Sequence, residues 1–216
     1  MIKAIIFDMD GTMFDTEPLW EKAFLKAGID LGYHFTKELH TKSIGTNQID
    51  LNRLLLEELG EDFPLEQFAH RYVENMKQMI DEYGISIKPG LLELLDYLIK
   101  NDYTIAIASS SDLEMIKRNL KKANIDEKVF KVIVSGEDFD NGKPDPDIFL
   151  KTCELLNVKP ENTMVLEDSN NGIQAAYNAG CIPVLIKDVD KITDETKSMA
   201  KYQFDSLLEV IDLLNK

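Results

Sequence analysis

The segment FDMDGTMFD (residues 7–15) directly follows the apolar residues Ala4, Ile5 and Ile6 and carries three aspartates. An apolar run of this kind predicts a strand that is buried on both faces. Carboxylates this close together repel one another unless a cation lies among them. The segment therefore predicts a strand that ends at a site for a metal ion or for a buried cationic side chain.

Four more segments carry short apolar runs rich in β-branched residues. They are TIAIASSS (104–111), KVIVSG (131–136), TMVLEDS (163–169) and IPVLI (182–186). Continuous runs of this length are typical of the strands of a parallel sheet. Helical patterns alternate with them, at 90–100, 111–124, 146–157 and 170–180. This alternation predicts an α/β fold with a Rossmann-like, doubly wound parallel sheet and right-handed crossovers.

Residues 15–84 interrupt the alternation, because the segments with a clear period are helical there, as in LEQFAHRYVENMKQMIDEYG (65–84). The motif KPG (88–90) then leads back into the alternating pattern. The sequence therefore predicts two domains. Residues 1–14 and 85–216 form an α/β core, and residues 15–84 form an inserted, all-α cap domain.

The composition excludes several classes of function. The chain has 216 residues and a formal net charge of −15 at pH 7. Its densest basic stretch, KRNLKK (117–122), lies in a helical pattern, so a nucleic-acid partner is disfavoured. There is no apolar run of about 18 residues and no signal-peptide pattern, so we expect a cytoplasmic protein with no membrane partner.

The cysteines and histidines do not indicate a zinc site. Cys153 and Cys181 are 28 residues apart, and each lies in a segment of regular pattern. We expect two free, packed thiols, as in a reducing cytosol. His34, His40 and His70 do not have the spacing of metal ligands.

Ligands of open parallel sheets bind beyond the carboxyl ends of the strands. The candidates at these ends are Asp8 and Asp10, the serines 109–111, Lys143 in the segment 136–143, and Glu167 with Asp168. Taken singly, each has an ordinary explanation, such as capping a loop or a helix. Together they favour one shared site.

The chemistry of these residues fits a single task. Asp8, Asp10, Glu167 and Asp168 offer only oxygen ligands, which predicts a Mg²⁺ site. Alternate residues of a strand face the same side, so Asp8 and Asp10 are expected to address one substrate. A carboxylate beside a divalent cation can attack phosphorus and form an aspartyl phosphate.

Two further residues suit the same reaction. Ser109 can donate a hydrogen bond to a phosphoryl oxygen, helped by backbone amides at the start of the following helix. Lys143 can neutralise negative charge and restrain the nucleophile. The residues at the strand ends therefore favour phosphoryl transfer.

Four motifs together resemble those of the haloacid dehalogenase-like superfamily of phosphohydrolases. They are FDMDGTMFD (7–15), the serines 109–110, GKPDPDIF (142–149) and LEDSNNGIQAA (166–176). The resemblance covers essentially the whole chain. It is to the branch with a helical cap after the first strand, near β-phosphoglucomutases and sugar phosphatases.

The resemblance implies a role for each motif residue. Asp8 would be the nucleophile, and Asp10 the general acid and then the general base. Mg²⁺ would be held by Asp8, the carbonyl of Asp10, Glu167 and Asp168. The phosphoryl group would be held by Ser109 and Lys143. Members that cleave carbon–halogen bonds lack a carboxylate two positions after the nucleophile. Because Asp10 is present, phosphate ester chemistry is favoured over dehalogenation.

The resemblance also implies that the cap closes over the site and selects the leaving group. β-Phosphoglucomutases use a cap arginine where this chain has Gln48, and a histidine where it has Trp20. A neutral amide does not replace a guanidinium on phosphate, so both differences weigh against a mutase. Lys77 does match a cap lysine of the mutases.

Candidate substrate-binding residues are therefore Trp20, Asn47, Gln48, Lys77 and Ser110. We predict a phosphatase for small phosphorylated metabolites, with sugar phosphates as the expected class. A phosphosugar mutase of β-phosphoglucomutase type is the alternative. A non-catalytic protein that binds a phosphometabolite is disfavoured because Asp8, Asp10 and Lys143 are all present. Nothing in the sequence indicates an oligomeric state.

Overall fold

The structure, a computed structural model, describes residues 2–44, 48–188 and 192–215, with Gln48 described only in its backbone. The chain divides into two compact units, Met1–Asp15 with Ser86–Lys216, and Thr16–Ile85. The described strands all belong to the first unit: β1 (Ala4–Phe7), β2 (Phe14–Asp15), β3 (Ser86–Ile87), β4 (Thr104–Ser109), β5 (Val132–Ser135), β6 (Thr163–Glu167), β7 (Ile182–Ile186) and β8 (Tyr202–Phe204).

Ten α-helices are described. The second unit contains α1 (Glu17–Leu31), α2 (Lys37–Ser43), α3 (Gln48–Leu59) and α4 (Leu65–Tyr83). The first unit contains α5 (Leu91–Lys100), α6 (Leu113–Lys122), α7 (Asp147–Leu156), α8 (Asn170–Asn178), α9 (Asp194–Met199) and α10 (Leu208–Leu214).

A six-stranded sheet forms the centre of the first unit, in the order β5-β4-β1-β6-β7-β8. Each neighbouring pair is parallel. The chain extends the sheet from β1 through β4 to β5, and then returns to the other side of β1 for β6, β7 and β8. The predicted doubly wound α/β fold is confirmed. This reversal puts the carboxyl end of β1 at the switch point where such sheets bind ligands.

The apolar sequence of β1 explains its central place. All four of its residues are fully buried, as expected for a strand covered on both faces. Ala4 and Ile6 lie in one core cluster with Ala106, Ala108 and Phe149 of α7. Successive side chains point to opposite faces, so Ile5 and Phe7 line the other face.

The two places where the chain leaves and re-enters the first unit are paired. β2 and β3 are antiparallel, with Phe14 opposite Ile87 and Asp15 opposite Ser86. The backbone N–H of Lys88 also donates to the carbonyl of Met13 at 2.9 Å. The sequence predicted neither strand, since two residues are too few to show a period.

All the regular secondary structure described in the second unit is helical. An aromatic core holds it together, in which Phe24 contacts Phe35, Phe68 and Tyr72 at centroid distances of 4.6 to 5.7 Å. Helix α1 ends at Leu31 and is capped by Gly32, whose φ of 79° is left-handed. The predicted insert has the predicted secondary structure.

The patterns identified in the sequence end at residue 186, and three further elements, α9, β8 and α10, follow in the structure. β8 is an edge strand with the sequence YQF, none of whose residues is fully buried. A short, half-solvated edge strand needs no apolar run, so the hydrophobic pattern does not reveal it.

Cys153 and Cys181 are both free and buried, with their Sγ atoms 3.8 Å apart. A hydrogen bond from Cys181 lowers the pKa of Cys153 to about 7.

None of the described helices has the length and apolar character needed to cross a membrane.

Candidate active site

Asp8 is the first residue after β1 and lies at the centre of the sheet edge. Its backbone N–H donates to the carbonyl of Leu166 in β6 at 3.0 Å, which continues the parallel pairing one residue beyond the strand. Its side chain is buried. A carboxylate in this position faces the crevice beyond the strands, where open α/β sheets bind ligands.

Lys143 brings a buried positive charge to Asp8. Its Nζ lies 2.6 Å from Asp8 Oδ1 and 2.6 Å from Glu167 Oε1, and it donates to the carbonyl of Ala108 at 3.3 Å. The ring of Phe149 lies 5.1 Å from the same nitrogen. These contacts leave the lysine side chain 6% exposed, so the ammonium is held between the two carboxylates.

Glu167 is the last residue of β6 and is fully buried. While its Oε1 accepts from Lys143, its Oε2 accepts from the backbone N–H of Asp168 at 3.0 Å and from Ser169, both N–H and hydroxyl, at 3.1 and 3.0 Å. Gly172 of α8 lies against this carboxylate, and a Cβ there would be 1.9 Å from Glu167 Cδ. These contacts therefore hold the carboxylate of Glu167 in one position.

Asp168 faces Asp8 from the neighbouring strand. The hydroxyl of Thr12 donates to its Oδ1 at 2.8 Å. Gly11, with a φ of 81°, lies so close that a Cβ would be 2.1 Å from Asp168 Oδ2. The tight turn after Asp10 therefore needs glycine for both its backbone angle and its space.

The carboxylates of Asp8, Glu167 and Asp168 form one cluster, with ligand oxygens within 4.8 Å of one another. Burial raises the pKa of Asp8 to about 8, although Lys143 lowers it. Burial, followed by the charges of Glu167 and Asp8, also raises the pKa of Asp168 well above its usual range. Burial alone would lower the pKa of Lys143, but the charges of Asp8 and Glu167 raise it.

This cluster fits a divalent cation. When all three carboxylates are ionised, the single ammonium of Lys143 leaves two negative charges uncompensated. The donors are oxygens only, with neither histidine nor thiolate among the grouped ligands of the described chain. Hard oxygen donors with a surplus of two charges suit Mg²⁺ or a similar ion.

The sequence pattern placed Asp8 and Asp10 on one face of a strand, and the expectation that both residues address one substrate stays a prediction. However, β1 ends at Phe7, so strand alternation is not what positions Asp10. Instead, Asp10 forms an isolated bridge with Phe14 after the turn at Gly11. The hydroxyl of Ser111 donates to Asp10 Oδ2 at 2.8 Å. The turn and this hydroxyl therefore determine where Asp10 lies.

The three serines after β4 have different surroundings. Ser109 is buried at the end of β4, and its Oγ accepts from the N–H of Ser111 at 3.1 Å. Ser110 is exposed. The carbonyl of Ser111 accepts from the hydroxyl of Ser135 at 2.9 Å. The loop thus connects the ends of β4 and β5.

Thr12 was not singled out by sequence reasoning, and Ser111 was named only as one of the serines 109–111 at the end of an apolar run. Thr12 belongs to the DGT part of the first motif, and Ser111 to the SSS run, but neither residue type signals a contact with a distant carboxylate. Asp188, two residues after β7, could have been found by the strand-end rule. It pairs with Lys88 at 2.6 Å, and its Oδ2 would lie 2.9 Å from a Cβ on Gly11.

The four cap candidates lie elsewhere in the chain. The Trp20 ring is 4.8 Å from the Tyr72 ring within the second unit, and Lys77 is half-buried on α4. Asn47 and the side chain of Gln48 lie outside the described residues. A substrate role for these residues stays a prediction.

Comparison with known proteins gives a consistent result. The sequence model of the family described as haloacid dehalogenase-like hydrolase matches residues 5–186. A phosphorylated carbohydrates phosphatase of Thermotoga maritima is 36% identical over 179 residues, which cover 83% of this chain and 82% of that protein.

Solved structures agree over nearly the whole chain. CbbY from Rhodobacter sphaeroides, in complex with phosphate, has a TM-score of 0.84 and 25% identity, covering 97% of this chain and 96% of that one. A β-phosphoglucomutase from Clostridium difficile has a TM-score of 0.81 and 25% identity, covering 100% of this chain and 96% of that one.

Proposed function

The chain belongs to the haloacid dehalogenase-like hydrolase family, and from that premise we propose that it is a Mg²⁺-dependent phosphatase of small phosphorylated metabolites that acts through an aspartyl phosphate. The observation that carries this proposal is the buried cluster of Asp8, Glu167 and Asp168, with the ammonium of Lys143 between two of its members. Sugar phosphates are the proposed substrate class. The similarity to a phosphorylated carbohydrates phosphatase supports this class.

Asp8 is the nucleophile of the proposed reaction. Its carboxylate forms a bond to phosphorus while the bond from phosphorus to the leaving oxygen breaks. Asp10 gives its proton to that leaving oxygen. A water molecule then attacks the phosphorus of the aspartyl phosphate, Asp10 takes the water proton, and Asp8 is regenerated with release of inorganic phosphate.

The remaining residues position the reacting groups and neutralise their negative charge. Lys143 restrains Asp8 and balances the charge of the transferred phosphoryl group, and Ser109 donates to one of its oxygens. Asp8, Asp168, the carbonyl of Asp10 and Glu167 would hold Mg²⁺, which supplies positive charge to a site rich in carboxylates. Both oxygens of Glu167 already accept hydrogen bonds, so it also holds Lys143 in place.

The second unit is proposed to be the cap, with Trp20, Asn47, Gln48, Lys77 and, in the first unit, Ser110 contributing to substrate binding. A cytoplasmic location is part of the same proposal, since the substrates are small phosphorylated metabolites. In this proposal the cap selects the leaving group. Substitutions at Trp20 or Lys77 should therefore alter the differences in KM between substrates more than they alter kcat for a common aryl phosphate.

Turnover of p-nitrophenyl phosphate tests the proposal. We expect activity with Mg²⁺, loss of activity with a chelator, and a loss of at least about 10³-fold in the Asp8→Asn variant. The Asp205→Asn variant removes an exposed carboxylate of the first unit and should retain full activity. Full activity of Asp8→Asn would exclude Asp8 as the nucleophile. A screen of phosphorylated metabolites, ranked by kcat/KM, then identifies the substrate.

The mutase alternative has one structural argument, the likeness to β-phosphoglucomutase. To distinguish it, β-glucose 1-phosphate is incubated with a bisphosphate primer, and glucose 6-phosphate and inorganic phosphate are both measured. We expect release of phosphate. Isomerisation without release would replace the phosphatase proposal with the mutase.

A further inference from the structure

We propose that Ser111 is a positioning residue for proton transfer, because its hydroxyl holds the carboxyl group of Asp10 in one orientation. The proposal rests on the proposed function, in which Asp10 is the general acid and then the general base. Ser111 Oγ donates to Asp10 Oδ2 at 2.8 Å, across 101 residues of sequence. A hydroxyl can donate one hydrogen bond, and here an oxygen of the Asp10 carboxylate accepts it.

The place of Ser111 is itself determined by its neighbours. Its carbonyl accepts from the hydroxyl of Ser135 at 2.9 Å, and its N–H donates to Ser109 Oγ at 3.1 Å. Ser109 and Ser135 are paired in neighbouring strands and are both buried. The hydroxyl that reaches Asp10 is therefore carried by a backbone anchored at the ends of β4 and β5.

Close packing adds a second restraint on the loop. A Cβ on Gly136 would lie 2.8 Å from both the Cα and the carbonyl oxygen of Ser110. The two loops thus approach to a distance that only glycine permits. This close packing restrains the backbone of Ser110, the residue directly before Ser111.

A helix-capping role does not account for Ser111. Asp112 is the N-cap of α6, and its side chain accepts from the N–H of Met115 at 2.6 Å. The serine hydroxyl is directed at Asp10 instead. The bond engages Oδ2 and restrains the rotation of the carboxyl group.

The consequence is a dependence on the leaving group. The first step forms the phosphorus–oxygen bond to Asp8, breaks the bond to the leaving oxygen, and moves the Asp10 proton to that oxygen. A basic alkoxide needs this proton, whereas p-nitrophenolate leaves without it. Loss of the Ser111 hydroxyl should therefore slow sugar phosphates more than p-nitrophenyl phosphate. The proton of Ser111 is not transferred at any stage.

The experiment measures kcat/KM of Ser111→Ala on p-nitrophenyl phosphate and on a sugar phosphate that the wild-type protein hydrolyses. We expect a loss of about 10- to 100-fold on the sugar phosphate and less than about threefold on the aryl phosphate. The ratio of the two values, taken from one preparation, is independent of the folded fraction. Ser111→Thr keeps a hydroxyl and should restore most of the ratio. The exposed Ser198→Ala is the control, since its hydroxyl donates to the nearby carbonyl of Glu195.

A double-variant cycle completes the test. If Ser111 acts through Asp10, Ser111→Ala should have no further effect on the ratio in the Asp10→Asn background. An equal loss on both substrates, or no loss on either, overturns the inference while Asp8→Asn remains inactive and the proposed function stands. Activity of Asp8→Asn overturns the proposed function and the inference with it.

Discussion

Lys143 Nζ lies 2.6 Å from Asp8 Oδ1, although the two residues are 135 positions apart in the chain. The same nitrogen lies 2.6 Å from Glu167 Oε1. One ammonium therefore connects the loop after β5 to the ends of β1 and β6. The two carboxylates can remain buried together because the positive charge of the lysine lies between them.

Replacing Lys143 by methionine should lower both the catalytic activity and the free energy of unfolding. Methionine keeps most of the volume but removes the ammonium's charge and its hydrogen bonds to Asp8 and Glu167, so we expect a loss of about 3 kcal/mol in the free energy of unfolding at neutral pH without metal. kcat/KM should fall by about 100-fold or more. Urea unfolding and p-nitrophenyl phosphate turnover measure the two effects. Lys151→Met removes a surface lysine of α7 that pairs with Glu154, and it should leave both quantities unchanged.

The close approach of Gly11 to Asp168 gives a second prediction. Gly11→Ala would place a Cβ 2.1 Å from Asp168 Oδ2, so the carboxylate must shift and the affinity for Mg²⁺ should fall at least about tenfold. Gly32 has a similar φ, 79°, with no heavy atom within 4 Å of its Cβ position. Gly32→Ala therefore incurs only the backbone strain, about 1 kcal/mol. Isothermal titration with Mg²⁺ compares the two variants, and equal affinities would contradict the proposed role of Asp168.

The sequence predicts much of this site because of a property of parallel sheets. The carboxyl ends of β1, β4 and β6 lie at one edge, so residues that follow apolar runs must meet there. The structure does bring Asp8, Lys143, Glu167 and Asp168 together at that edge. The closely spaced aspartates of residues 7–15 indicated a cation, and the oxygen-only donors at the strand ends indicated a hard one.

The contacts of Asp10 could not be predicted in the same way. Its place depends on the turn at Gly11 and on a hydroxyl 101 residues away, so it follows from the packing of loops and not from strand periodicity. A serine before a helix usually indicates an N-cap, yet Asp112 caps α6 and Ser111 contacts Asp10. Local propensity identifies the type of residue but not its partner.

Glu167→Gln tests whether both oxygens of this side chain are needed. One oxygen accepts from Lys143 and the other from three donors of Asp168 and Ser169. An amide would turn N–H groups toward a donor in either orientation, so we expect a loss of about 2 kcal/mol in the free energy of unfolding. The exposed Glu161→Gln is the matched control, with no expected change. Wild-type stability of Glu167→Gln would show that the hydrogen-bond pattern is not required.

The raised pKa of Asp8 predicts how stability depends on pH without metal. The carboxyl ionises near 3.8 in the unfolded chain and at about 8 in the folded protein. Between these values the folded state binds more protons than the unfolded state, so the free energy of unfolding should fall as pH rises, by up to about 1.4 kcal/mol per pH unit for one proton. The contribution is complete below the unfolded pKa and is lost progressively up to the folded one. Urea unfolding in the presence of a chelator measures this slope.

Mg²⁺ should reverse that loss, because it binds the ionised carboxylates and competes with their protons. The stabilisation by Mg²⁺ is therefore expected to increase from about pH 6 to about pH 8, in the window that ends at the folded pKa of Asp8. Asp8→Asn should show a shallower slope without metal and a smaller gain with it. The exposed Asp212→Asn should behave as the wild-type protein does. A stabilisation by Mg²⁺ that is constant with pH would mean that proton release from this cluster does not accompany metal binding.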